Sequence, residues 1–343
     1  VTAAVRARKN HEALQLWALT VTFPAGGERR EVVSSVDLEL VAGSTLGIVG
    51  ESGSGKSVTL RALMGLLPSS ARVTSGSLTM SGTHIPLAGR GVRAARRRRL
   101  AMVFQDPLAA LDPVMSIGDQ IAEVPRRVFG ESRRASRATA LDLMRSVRIP
   151  DPERRASAYP HQLSGGQRQR AVIAMALACR PEILLCDEPT TALDVTIAAE
   201  ILDLLSGLRE ESGLSMIFVS HDLAVVSSMA DRIVVMRSGA GVEAGSTDAV
   251  LRNPERPYTR QLLDAVLELP ASREVVRPID PAVLPTSAAR TPLRLAARNI
   301  DVTYGSASAA VRAVSVWTWR WGSDGSTASS VSQAPARPRW RRC

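Results

Sequence analysis

Apolar positions along this chain follow two rhythms that take turns. Between Leu14 and Leu40 they fall at every second place in short runs (Leu14, Leu16; Leu19, Val21, Phe23; Val36, Leu38, Leu40), and Pro24-Ala25-Gly26-Gly27 interrupts them with turn chemistry. That alternation predicts an antiparallel hairpin region leading into a short buried strand, Leu46-Gly47-Ile48-Val49. A helical rhythm follows over Val58–Met64, then a strand-rich patch at Gly76–Met80 and the apolar run Leu100–Phe104. Amphipathic helices are predicted over Ile117–Phe129 and Arg137–Val147, and a longer helix over Arg168–Cys179. The apolar runs Ile183–Cys186 and Met216–Val219 each end in polar residues, with a helix reaching Leu208 between them. Ile233–Met236 with Gly241–Gly245 reads as a last hairpin, and Asn253–Leu267 as a turn and helix. Apolar strands alternating with helices predict an α/β fold.

Composition narrows this only a little. The chain has 343 residues, 45% of them hydrophobic, enough for a sizeable core. No run approaches the roughly 18 apolar residues of a membrane span. The charged start (Arg6, Arg8, Lys9, His11, Glu12) has no long apolar stretch, and no export leader is expected. Cys179, Cys186 and Cys343 lack metal-ligand spacing and suit a reducing compartment. The net charge of +10 is concentrated in Arg93 with Arg96 to Arg99 and in the last residues. Without interleaved aromatics, that block reads as a solvated basic face and not as a nucleic-acid groove. Residues 1–13 read as a polar tail, and the Pro-, Ala- and Arg-rich stretch 269–292 as a linker.

The candidate chemistry gathers at strand ends. Gly50-Glu51-Ser52-Gly53-Ser54-Gly55-Lys56-Ser57 fits the Walker A pattern G-x-x-x-x-G-K-[ST] between a strand and a helix. Its glycines let backbone N–H groups aim at a polyphosphate, and the helix N-terminus adds partial positive charge. The cradle is Gly50 with Ser52, Gly53, Ser54, Gly55, Lys56, Ser57 and Val58; Lys56 reaches for the phosphates and the Ser57 hydroxyl for Mg²⁺. Gln105 follows an apolar run, where a side chain points to the ligand crevice of an α/β sheet. Ser164-Gly165-Gly166-Gln167 opens a helix, a second place where glycine N–H groups meet a helix N-terminus. The strand before Asp187-Glu188 gives the Walker B form: Asp187 for Mg²⁺, Glu188 to deprotonate the attacking water. His221 ends another apolar strand and is a candidate γ-phosphate contact. Phe23 serves equally well as a core residue or as a ring face for an adenine.

Taken in order, this set resembles the nucleotide-binding domain of ABC transporters: Walker A at 50–57, Q-loop Gln105, signature Leu163-Ser164-Gly165-Gly166-Gln167, Walker B at 183–188, D-loop Ala192-Leu193-Asp194 and H-loop His221, within residues 14–268. Ala101–Pro107, Leu111–Met115, Ile117–Ile121 and Asn253-Pro254 with Pro257-Tyr258-Thr259-Arg260 are similar to the ATPases of peptide and nickel importers. The resemblance implies a P-loop NTPase fold with a RecA-like core, an antiparallel β-subdomain and a helical subdomain at about 106–180. It implies ATP and Mg²⁺, with Gln105 joining Ser57 and Asp187 at the metal, and Glu188, His221 and Gln105 as the catalytic group. It implies that Ser164, Gly165, Gly166, Gln167 and Asp194 meet ATP held by a second ABC domain in a head-to-tail pair. Membrane permease subunits are the expected partners, an extracellular solute-binding protein acts indirectly, and the place is the cytoplasmic face of the membrane. A soluble ABC ATPase acting on ribosomes or nucleic acid is the other class, which the two subfamily stretches disfavour.

Beyond residue 292 the pattern restarts. Val302-Thr303-Tyr304 matches Val21-Thr22-Phe23, and Val314-Ser315 matches Val33-Ser34, each 281 positions on. Four of the five tryptophans then fall beyond residue 316. Residues 293–316 therefore read as the start of a second domain and 317–343 as a disordered, frameshifted tail. Codons allowed for Ser330–Trp340, read one base earlier, give V-G-E-S-G-S-G-K-T-T-V, a second Walker A loop.

Overall fold

The structure is a computed structural model that describes residues 12–88, 98–191 and 193–264, and the backbone of 293–304, 311–322 and 327–331. The linker 269–292, most of the N-terminal tail, Arg93, Arg96 and Arg97 of the basic block, and Ala192 lie outside the described residues. The chain divides into two compact units, 1–268 and 269–343.

In the first unit the strands are β1 (Glu12–Ala25), β2 (Glu28–Val41), β3 (Thr45–Val49), β4 (Arg72–Met80), β5 (Thr83–Ile85), β6 (Leu100–Val103), β7 (Ile183–Asp187), β8 (Ser215–Val219), β9 (Arg232–Arg237) and β10 (Ala240–Ser246). The helices are α1 (Lys56–Met64), α2 (Pro107–Ala110), α3 (Ile117–Phe129), α4 (Arg133–Ser146), α5 (Pro152–Arg155), α6 (Gly165–Leu177), α7 (Val195–Ser212), α8 (Leu223–Met229), α9 (Thr247–Arg252) and α10 (Pro257–Asp264). One sheet has the order β10-β9-β3-β8-β7-β6, parallel except for the β9–β10 hairpin. The other is antiparallel, β2-β1-β4-β5.

The parallel strands are buried on both faces, and their alternation splits the core in two. Val49, Val103, Leu184, Cys186, Phe218 and Val235 face a cluster with Ile121, Met144, Ile173, Leu205 and Val226 of the helices. Leu46, Ile48, Met102, Leu185, Val219 and Met236 face the antiparallel sheet, with Leu16 and Leu38, and Leu60 and Leu63 of α1. Each such side chain, fully buried, contributes roughly 1.5–3 kcal/mol. The sheet is thus clamped from both sides, and the residues following β3, β6, β7 and β8 emerge together at its C-terminal edge.

Helix starts differ from the sequence reading because caps set them. Ser132 accepts from Ala135 N–H, so α4 begins at Arg133 and not Arg137. Ser164 and Gln167 form a reciprocal capping box, and α6 begins at Gly165, three residues before the predicted start. β1 already begins at Glu12, within the expected tail, because Ala13 is buried against the core.

In the second unit, β11 (Leu293–Tyr304), β12 (Val311–Gly322) and β13 (Thr327–Val331) form an antiparallel sheet. This differs from the disorder expected beyond residue 316. Trp317, Trp319 and Trp321 alternate with Thr318 and Arg320, a strand rhythm in residues that favour strands. Residues 323–326 and 332–343 of that expected tail lie outside the described residues.

The two signature glycines differ in what they require. A Cβ on Gly166 would stand 2.6 Å from Ile197 Cγ2, whereas one on Gly165 would make an ordinary 3.5 Å contact with Leu193. Gly166→Ala is expected to destabilise by about 1–3 kcal/mol through overpacking of α6 on α7. Gly165→Ala should leave thermal unfolding within about 2 °C. Thermal melts of both variants check this.

Candidate nucleotide-binding site

The loop after β3 is held from behind by close backbone packing. A Cβ on Gly50 would lie 2.1 Å from the Met236 carbonyl oxygen, and Gly50 has φ +151°. Gly55, at φ +97°, would meet the Val32 carbonyl oxygen at 2.9 Å. Only glycine fits either position. Gly239 ties the loop to both sheets: its N–H donates to Ser54 O at 3.1 Å, and its carbonyl accepts from Ser34 N–H at 2.8 Å. Helix α1 starts at Lys56 with no side chain capping it, so its first-turn N–H groups face the loop's concavity.

Lys56 is 5% exposed. Its ammonium donates to the carbonyls of Gly50 (2.7 Å) and Glu51 (2.8 Å) and to Ser54 Oγ (3.5 Å). Burial lowers its pKa, and the charges of Glu188, Asp187 and Glu51 oppose that. The Ser57 hydroxyl donates to Asp187 Oδ1 at 2.7 Å. Asp187 is 1% exposed; burial raises its pKa, and the Ser57 hydrogen bond and the nearby Arg61 and Lys56 pull it back. Adjacent hydroxyl and carboxylate oxygens are the hard donors Mg²⁺ takes, with water and phosphate completing its shell. Asp187 makes no ion pair among the described residues, so a cation there would answer a buried carboxylate whose partner is one hydroxyl. The residues fit the metal.

Glu188 organises the other half. It has φ +46°, a left-handed conformation unusual for a non-glycine residue. Its N–H donates to Val219 O at 3.0 Å, anchoring it to β8. Three side chains converge on one carboxylate oxygen, Oε2: Thr191 Oγ1 donates at 2.8 Å, Gln105 Nε2 at 3.3 Å, and His221 Nδ1 lies at 3.1 Å. The structure therefore brings Gln105, Glu188 and His221 together. It bonds Gln105 to Glu188 and not to the Ser57–Asp187 pair assigned as metal ligands.

The remaining candidates stand apart from this group. Ser164 and Gly165 are exposed, Gly166 is buried, and no hydrogen bond links residues 164–167 to the Walker A loop among the described residues. Asp194 caps α7, accepting from Ile197 N–H at 2.9 Å. Phe23 is half-buried near the hairpin tip, paired with Arg30 and packed on the core face behind the loop. Val58 is half-buried in the first turn of α1, and Ser52 and Gly53 are exposed at the loop's crest.

Thr191 and Tyr258 complete the site without having been assigned roles from sequence. Tyr258, 6% exposed, places its hydroxyl to accept from Glu51 N–H at 3.3 Å, while the Arg237 guanidinium lies 4.6 Å over its ring. Thr259 donates to Glu243, which also accepts from the N–H groups of Glu255 (2.8 Å) and Arg256 (3.2 Å), fixing the start of α10. Pro257-Tyr258-Thr259 was visible as a motif; its reach across to the phosphate loop, 207 residues away in sequence, was not. Tyr258→Phe should weaken Mg·ATP binding roughly fivefold, the loss of one modest hydrogen bond, with unfolding temperature unchanged within about 2 °C. Fluorescent-nucleotide titration beside a thermal melt checks this.

Comparison with known proteins bears on this geometry. Residues 33–191 match the family model described as ABC transporter. The dipeptide transport ATP-binding protein DppD of Bacillus subtilis (strain 168) is 44% identical over 271 residues, 78% of this chain and 81% of that protein. The glutathione import ATP-binding protein GsiA of Salmonella typhimurium (strain LT2) is 45% identical over 271 residues, 77% of this chain but 44% of the relative. A dimeric ATP-binding cassette in a post-hydrolysis state bound to ADP and Pi superposes with a TM-score of 0.60 at 30% identity, covering 68% of this chain and 98% of that one. A phosphate loop, a buried hydroxyl–carboxylate pair and a glutamate–histidine group at one sheet edge, found in a chain this close to such relatives, make it an ATPase: it belongs to the ABC transporter family, among the ATP-binding proteins of peptide importers.

Proposed function

We propose that this protein hydrolyses ATP to drive uptake of short peptides through a membrane permease, acting at the cytoplasmic face as one half of a head-to-tail pair of cassettes. The observation that carries the reading is the separation of two half-sites. Lys56, Ser57, Asp187, Glu188, Gln105 and His221 gather at the C-terminal edge of the sheet. Ser164 and Gly165 stand exposed at the start of α6, bonded to none of them. A second copy brings that exposed turn to the far side of the phosphates, as the dimeric solved relative supports. Peptide is favoured over nickel because the relatives above are named for dipeptide and glutathione. A solute-binding protein would deliver the cargo to the permease, and nothing here requires nucleic acid.

In the reaction, water attacks the γ-phosphorus and the bond to the β–γ bridging oxygen breaks. Glu188 accepts the water's proton through its carboxylate. Its tether to Val219 and the donors on Oε2 hold the carboxylate in place. Lys56 releases its loop carbonyls to donate to phosphate oxygens, and His221 is poised at the γ-phosphate side. Magnesium, held by Ser57 and Asp187 when bound, supplies charge neutralisation.

Glu188→Gln is expected to lower steady-state hydrolysis about 10²–10⁴-fold while leaving the Kd for Mg·ATP within about threefold. Phosphate release and nucleotide titration measure the two; unchanged turnover would remove Glu188 from the mechanism. Affinity purification from detergent-solubilised membranes should recover an integral permease with the tagged chain, and recovery of ribosomal RNA in its place would refute the import reading.

A further inference from the structure

We infer that the gene for this chain encodes a second nucleotide-binding cassette, that residues 293–322 are its opening hairpin, and that its phosphate loop lies in the adjoining reading frame. This rests on the paired-cassette reading above and names the partner: a second cassette on the same polypeptide. One chain then provides both exposed signature turns and both phosphate loops.

The first observation is backbone register. Val302 pairs with Val314, Thr303 with Arg312 and Tyr304 with Val311. In the first hairpin Val21 pairs with Val33, Thr22 with Glu31 and Phe23 with Arg30. Every one of these partners is displaced by the same 281 positions. The agreement continues to the far end of the hairpin, where Ile300↔Trp317 and Leu295↔Trp321 answer Leu19↔Val36 and Leu14↔Leu40. The irregularities recur as well. Breaks between Leu293/Leu295, Ala297/Ile300, Ile300/Val302 and Val302/Thr303 repeat those between Glu12/Leu14, Leu16/Leu19, Leu19/Val21 and Val21/Thr22. Bulges are placed by the particular hairpin that carries them, and a meander formed by an arbitrary basic tail has no reason to reproduce four in order.

The second observation comes from the genetic code. Tryptophan has the single codon TGG. Read one base earlier, each of Trp317, Trp319 and Trp321 becomes the end of an NTG codon: leucine, methionine or valine. Those three places answer Val36, Leu38 and Leu40, the inward positions of β2. Between them, the junction of Trp317 and Thr318 is forced to GAC, an aspartate answering Asp37. The junction of Trp319 and Arg320 gives alanine or glutamate, answering Glu39. The tryptophan cluster is thus what an aliphatic strand becomes when one nucleotide is lost ahead of codon 317. The same shift permits the Walker A sequence from codons of Ser330–Trp340, with its first glycine 281 positions after Gly50. The glutathione importer relative, 44% of which is covered by the matched region, has the length for two such cassettes.

Sequencing both strands of the genomic locus past the codon for Cys343 tests this. The expected result, in the frame one base earlier, is a Walker A loop, then a Ser-Gly-Gly-Gln turn and an apolar strand ending in Asp-Glu. A frame closed by stop codons, or one lacking those motifs, overturns it. A chain with the nucleotide restored is expected to bind two molecules of a non-hydrolysable ATP analogue with Mg²⁺ in equilibrium dialysis, against one for the chain as given. One per restored chain overturns the second site. No binding by either chain would instead overturn the nucleotide-site reading on which it rests.

Discussion

A buried ammonium held by carbonyl dipoles is the interaction on which the site depends. Lys56 is almost wholly screened from water, and its ammonium donates to the carbonyls of Gly50 and Glu51. Desolvation works against its charge, and the carboxylates of Glu188, Asp187 and Glu51 oppose that. A phosphate oxygen offers more than a neutral carbonyl can, so in the function proposed above the lysine would exchange partners at little structural cost. That exchange requires the loop to keep its shape, which is why Gly50 and Gly55 are pressed against main-chain oxygens where no side chain fits.

The double-faced sheet explains why chemistry so dispersed in sequence meets at one edge. Strict alternation along β3, β6, β7 and β8 sends one set of side chains to the helices and the other to the antiparallel sheet. A one-residue slip of register would send each set into the packing layer shaped for the other. Gln105, Asp187, Glu188 and His221 then inherit their positions from the ends of strands that cannot move. Cys186 shows the same constraint in its reactivity: full burial pushes its thiol pKa up to about 12, so it is a packing residue and not a nucleophile.

Much of this was legible in the amino-acid order, because phosphate loops, acidic strand ends and helix-opening glycines are local signals. The α/β alternation located the buried parallel strands and the last hairpin within a residue or two, whereas β4 starts at Arg72 and not Gly76, and the short β5 carries no apolar rhythm that marks it. Two helices start earlier than the apolar rhythm indicates, because serine caps at Ser132 and Ser164 fix their first turns. What was not legible is long-range. Nothing in the sequence says that Tyr258 reaches Glu51, or that Gln105 bonds Glu188 and not the Ser57–Asp187 pair. Nor does it say that Gly166 is small because of Ile197. Such contacts depend on which surfaces the fold brings together. The strand character of Trp317–Trp321 is hard to read for a different reason: an unusual tryptophan-rich composition overlies its alternation.

The Gly239 turn has a consequence for scale. Because one residue donates to Ser54 and accepts from Ser34, the middle of β2 and the phosphate loop are mounted on a common bracket. The spacing between that strand and the loop is therefore set by two short polar links, and a change in length of the turn at Gly26 and Gly27 would leave it unaltered.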